Sequence, residues 1–243
     1  MKKLEMALCA LSAGLLLTAG CSQTAAEIRI EKFSSYSSEY RGVEAKITAP
    51  VISGLSIPKL EEELNAEFSG KALKLTEQYT TEALKLLADK STEDGHLGYE
   101  MGYEIPVNNE KVLVLDLWQM NIAGSSSTTH NFYTFDKAAG TQITLKSLFN
   151  GKADYIRVLS DQVRSEIRKH MKKESGAVYW LAPEMPEGFS SIKPDQNFYL
   201  NDKGNIVICF DKYEIAPGSM GSPQFEISRR AIAPYLAPLP KKK

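Results

Sequence analysis

Between Ser56 and Lys90 apolar side chains recur mostly at every third or fourth position, at Leu60, Leu64, Phe68, Leu75, Tyr79, Ala83 and Leu86. The spacing predicts one long amphipathic helix with a single apolar stripe. Ser56 is placed to cap it, Pro58 suits its first turn, and Glu61, Glu62 and Glu63 lie where the helix dipole favours negative charge. Gly70 is a candidate kink. A second helix is predicted over residues 153–172, with Ile156, Leu159, Val163, Ile167 and Met171 on its inner face.

Elsewhere the period shortens to two, the signature of strands. Ile28–Phe33 and Val43–Ile52 alternate in this way, and Gly98–Ile122 reads as a hairpin turning at Asn108-Asn109, with Val112, Val114, Trp118, Met120 and Ile122 on one face. The small-residue run Gly124–Thr128 is expected to be a loop before a strand over Thr129–Asp136, which turns at residues 137–140 and returns through Ile143–Leu145. Residues 174–194, rich in Pro, Gly and Ser, are expected to be irregular. A hairpin of Phe198–Leu200 and Ile206–Phe210, a loop from Tyr213 to Pro223, a strand at Phe225–Ile227 and a short helix from Arg229 complete the pattern. Hairpins interleaved with isolated helices define an α+β fold, mainly antiparallel sheet with two principal amphipathic helices.

The first residues follow a different rule. Lys2 and Lys3, the apolar run Ala7–Leu17 and the small-residue site Leu17-Thr18-Ala19-Gly20-Cys21 read as a lipoprotein signal peptide, removed before a lipidated Cys21. The run is shorter than the roughly 20 residues a spanning helix needs. Acyl chains on Cys21 contribute about 0.8 kcal/mol per buried methylene, so two or more of them anchor stably where one does not. The expected localisation is the cell envelope, lipid-anchored on the extracytoplasmic side of a bacterial membrane. Residues 21–40, rich in Ser, Ala and Glu, are expected to serve as tether and first strand.

Composition narrows the chemistry. A formal net charge of −1 over 243 residues implies no nucleic-acid partner, and Lys241-Lys242-Lys243 reads as a solvated end. Of three cysteines, Cys9 leaves with the signal and Cys21 takes the lipid, so Cys209, within the apolar run Ile206–Phe210, is expected to be an inert buried thiol. The three histidines, His96, His130 and His170, show no ligand spacing, so no metal and no cofactor are expected. His170 is expected on a solvated helix face, and His130, opening a strand, is the histidine placed for a functional contact. Gly218-Ser219-Met220-Gly221-Ser222 does not match a nucleophile elbow, and no phosphate-cradling glycine motif occurs. No catalytic residue is assigned; the alternative is a cell-wall glycan hydrolase using a carboxylate pair that sequence does not single out.

Three stretches carry a family resemblance. Ile47–Leu55 running into a helix with Asn65, then Phe135-Asp136, Gly140 and Ile143–Phe149, then Phe198–Leu200 with Asp211–Pro217, Gly221 and Phe225 together resemble the extracytoplasmic module shared by RsiV-type anti-sigma factors and PdaC-type peptidoglycan deacetylases. The resemblance implies an N-terminal PdaC-like subdomain over 41–135 and a C-terminal RsiV-like subdomain over 136–243, after the signal at 1–20. In that family the module senses lysozyme or accompanies cell-wall chemistry. Only six residues precede the apolar run and only a lysine tail follows the module, so the expectation is a stand-alone, non-catalytic lipoprotein without a sigma-binding segment or a deacetylase domain. Its implied partners are the membrane, through the anchor, and a lysozyme-like protein or a peptidoglycan fragment. Family members commonly carry Gly-Gly-Ala-His where this chain has Ala123-Gly124-Ser125-Ser126, and an aromatic where it has Gly218. These two loops supply the candidate ligand-binding residues Ser125, Ser126, His130, Tyr213, Glu214 and Pro217, because recognition residues concentrate on loops held by a rigid sheet.

Overall fold

The computed structural model describes residues 27–40, 42–88, 97–123 and 125–237; the signal, Cys21, His96, Gly124 and the terminal lysines lie outside them. A sheet of six strands runs in sequence order: β1 (Arg29–Tyr40), β2 (Val43–Ser53), β3 (Leu97–Asn108), β4 (Val112–Ala123), β5 (Ser125–Asp136) and β6 (Thr141–Ile143). The pairings are antiparallel except β2 with β3, which are parallel and joined by a crossover through the long helix α1 (Pro58–Ala88). A second sheet, β7 (Phe198–Leu200), β8 (Ile206–Cys209) and β9 (Gln224–Ile227), is wholly antiparallel. It packs against α2 (Tyr155–Lys173), and the short helix α3 (Arg229–Ile232) follows. The α+β class follows directly, with one parallel pair in a mainly antiparallel scaffold.

α1 lays its apolar stripe on the first sheet, burying Leu64, Phe68, Ala72, Leu75, Tyr79 and Ala83. It runs unbroken through Gly70. Ser56 does not cap it: the Ser56 backbone N–H and hydroxyl both donate to Gly140 O, at 2.8 and 3.1 Å, tying the helix entry to the β5–β6 turn. The acidic start of the helix has a use, since Glu61 accepts from the Leu55 backbone N–H at 2.9 Å. Asn65 inserts its amide against β2, accepting from Ile52 N–H at 2.8 Å and donating to Ile52 O at 2.9 Å. The serine-rich stretch is part of β1, which continues to Tyr40, and the Tyr79 hydroxyl meets Ser38 Oγ at 2.7 Å.

β4 departs most from its predicted one-faced pattern. Val112 to Leu117 are all buried, because the strand has an apolar body on each side. Leu113, Leu115 and Leu117 join the core under α1, while Val112 and Val114 join a second core built from α2, β7–β9 and the irregular segment between them. Leu159, Val163 and Ile167 of α2 fill that second core as the periodicity requires, but Met171 lies exposed. His170 is not solvated as its sequence position implies. Its ring packs 5.6 Å from Phe225 and 6.3 Å from Tyr179, because α2 crosses β9 at its C-terminal end.

Replacing Asn65 with Ala leaves both backbone groups of buried Ile52 without their side-chain partner. The expected loss is about 2 kcal/mol of unfolding free energy, read from denaturant midpoints at constant slope.

Candidate functional site

Two neighbouring surfaces collect the candidate residues. The first is the turn Asp211–Glu214 leaving β8. Asp211 N–H donates to Glu214 Oε2 at 2.9 Å and Glu214 N–H to Asp211 O at 3.0 Å, which closes the turn on itself. Between them Tyr213 sits at φ 70°, the left-handed region that costs a residue with a Cβ about 1–2 kcal/mol. Its side chain is still 57% exposed. The ring lies over Gly218: a Cβ there would fall 2.4 Å from it, so the absence of a side chain at Gly218 is what lets Tyr213 occupy this place. Pro217 accepts from Met220 N–H at 2.9 Å and begins the single turn that carries Gly218. Lys212 stands 5.2 Å from the Tyr213 ring centre and donates to Ser126 O at 2.9 Å. The two regions singled out in the sequence are therefore joined.

Ser125 and Ser126 are not in a loop. β5 begins at Ser125, which pairs with Ala123, so only Gly124 separates β4 from β5 and the serines continue the ladder. Pleated pairing against β4 outweighs the weak strand propensity of small polar residues.

The second surface is a cleft of about 580 Å³ between the β5–β6 edge and the C-terminal body. His130 lines it, and its Nδ1 lies 2.8 Å from Asp116 Oδ2 on β4. Asp116 is only 6% exposed, and its Oδ1 has no hydrogen-bond partner among the described residues. The imidazole stacks on Phe132, with 5.9 Å between ring centres. Asn197 of the C-terminal body clamps the strand here, accepting from Phe132 N–H at 3.0 Å and donating to His130 O at 2.7 Å. The hydrogen bond to Asp116 raises the His130 pKa above its ordinary value, against the effect of burial. Across the cleft, Asp211 is solvent-exposed, yet desolvation of its inner side and the like charge of Glu214 raise its carboxyl pKa. Glu214 is itself paired with Lys193 at 2.7 Å.

Glu214 borders both this cleft and a groove of about 710 Å³ formed with Tyr213, Trp180, Met185 and Glu184. Thus His130 and Glu214 share the cleft, while Tyr213 and Glu214 share the groove. Asp116 and Asn197 carry no expectation from sequence, and Asp211 belongs to the stretch that bears the resemblance but has no site role assigned there. Asp116 had a visible signal, as the single charge inside the apolar run Val112–Leu117; Asn197 had none, because its role depends on a contact 67 positions away. Cys209 is buried, and desolvation pushes its thiol pKa far up, as an inert strand thiol requires. Among the described residues no group of three or more His, Cys, Asp or Glu is arranged to hold a metal, and no helix is long and apolar enough to cross a membrane.

Residues 146–230 match the family described as "Protein of unknown function (DUF3298)". The fold agrees with solved members: one from Bacteroides fragilis superposes with a TM-score of 0.61 at 17% identity, covering 88% of this chain and 95% of that one. Another, from Pseudomonas aeruginosa, gives 0.56 at 13% identity, covering 88% and 96%. The chain thus carries a DUF3298 match in its C-terminal part and has the fold of solved DUF3298 proteins. It is 32% identical over 190 residues to the anti-sigma-V factor RsiV of Bacillus subtilis, a match that takes in 78% of this chain and 64% of that relative.

The raised His130 pKa sets a sign for stability. The contribution is fully present below about pH 6.5, the unfolded value, and is lost as pH rises through the higher folded value. Unfolding free energy of the native chain should fall from pH 6 to pH 9 by more than that of His130→Gln, and an NMR titration should place the imidazole midpoint above 6.5, the ordinary value.

Proposed function

We propose that this chain is a lipid-anchored extracytoplasmic lipoprotein that acts as a non-catalytic binding or sensing module for a wall-associated protein of the lysozyme-like kind, with a peptidoglycan fragment as the other candidate ligand. The observation that carries the reading is Tyr213, an exposed aromatic at positive φ in a closed turn, its ring lying over Gly218 beside a groove. Strain that the surroundings maintain at an exposed aromatic is characteristic of recognition sites. A ring already fixed loses little entropy on binding. The groove pairs apolar surface from Trp180 and Met185 with the carboxylates of Glu184 and Glu187, which complement a cationic protein surface. Similarity to an anti-sigma factor supports sensing, and export with Cys21 as the lipidated residue supplies the location.

The test is immobilised full chain against lysozymes and purified muropeptides. Tyr213→Ala should weaken the productive interaction at least about tenfold without lowering the melting temperature. Absence of saturable binding to any of these ligands would overturn the proposal. For the anchor, Cys21→Ala should move the protein from the membrane fraction to the soluble extracytoplasmic fraction; retention in the membrane would contradict it.

A further inference from the structure

The cleft at His130 has walls of opposite charge, and that asymmetry is not used by the Tyr213 groove. On the sheet side stand Lys146 and the ring of His130, whose charge is matched from behind by Asp116 at 2.8 Å, and on the C-terminal side stand Asp195 and Asp211. Lys193 and Glu214 also line it but neutralise each other through their 2.7 Å contact. Phe132 and Tyr155 add aromatic surface to the lining. A volume of about 580 Å³ lies within the usual range for small-molecule sites and accommodates a dipeptide-sized ligand.

Behind His130 the buried Asp116 engages Nδ1 through Oδ2 at 2.8 Å. That contact fixes the ring and leaves Nε2 as the nitrogen available to a ligand. On the facing wall, Asp211 carries a carboxyl whose charge is opposed by desolvation and by Glu214, so a cationic group placed beside it is stabilised.

We propose that this cleft is a binding site for a small zwitterion, an amino acid or short peptide with both termini free, whose carboxylate meets His130 and Lys146 and whose ammonium meets Asp211 and Asp195. Such a ligand matches both walls at once, whereas a simple anion or cation is repelled by one of them. The site is separate from the Tyr213 groove apart from the shared border at Glu214, and it does not require that groove to be occupied.

The experiment is calorimetric titration of the full chain with alanyl-alanine, N-acetyl-alanyl-alanine and alanyl-alanine amide. The free dipeptide should bind saturably, and each capped form should bind about tenfold more weakly, since each loses one charge-assisted contact. His130→Gln should weaken the free dipeptide and reduce discrimination against the amide, with Lys146 still present, while Asp211→Asn should reduce discrimination against the acetylated form, with Asp195 still present. Phe33→Ser, on the exposed edge strand β1, should change nothing. Equal binding of free and capped dipeptides by the native chain overturns the proposal, as does no saturable binding up to roughly 10 mM. Because the capped-ligand comparison uses unaltered protein, a variant that fails to fold does not rescue the idea. Loss of lysozyme or muropeptide binding at the Tyr213 groove would leave it standing.

Discussion

Burial of β4 on both of its faces is the constraint on which the rest of the molecule depends. Alternate leucines of this strand complete the core beneath α1, and the intervening valines complete the core beneath the second sheet. A strand in that position cannot slip by one residue without exchanging every contact between two differently shaped interiors, so its register is fixed from both sides. β5 inherits that register through an unbroken antiparallel ladder from Ser125 to Asp136. The cleft wall, the His130 ring and the anchoring point for Lys212 are therefore all set by packing that lies beneath them.

The same constraint explains why a charged residue is tolerated in the strand. Asp116 follows the valines on the face turned to the C-terminal body, at the place where that face stops being core and becomes cleft. A carboxylate so enclosed needs compensation, and His130, diagonally placed on β5 two residues from Asp116's direct partner Phe132, supplies it at 2.8 Å. Asn197 then uses both halves of its amide on the β5 backbone, much as an added strand would. The C-terminal body is thus attached to the sheet by directional bonds next to the ion pair, and the turn carrying Tyr213 starts from that attached body.

Periodicity located the two long helices and most strands, because each of those patterns reports a single buried face, while the β3–β4 turn falls at residues 109–111 with Asn108 still paired to Leu113. It failed where the burial is not single-faced. β4 was expected to hide only its even positions, and nothing local announces that a second body covers the other side. The serines at 34–38 and 125–128 resemble spacer and loop in composition, but they are strands because neighbouring strands with strong patterns hold them in register. His170 was misjudged for a similar reason, as a helix end is solvated only if no other element crosses it. Of the candidate site, His130, Tyr213, Glu214 and Pro217 were legible from residue type and loop context. Asp211 and Asn197 were not, because their importance comes from what lies across the cleft.

The two bodies share one wall, β4, so that neither opens without the other. Native-state hydrogen exchange on the full chain measures this directly. The amides of Leu115 in β4, Phe135 in β5 and Ile208 in β8 should exchange with one common opening free energy, equal to that of global unfolding. Exchange of Ile208 through a cheaper opening that leaves Leu115 and Phe135 protected would show the C-terminal body detaching on its own, and would contradict the account.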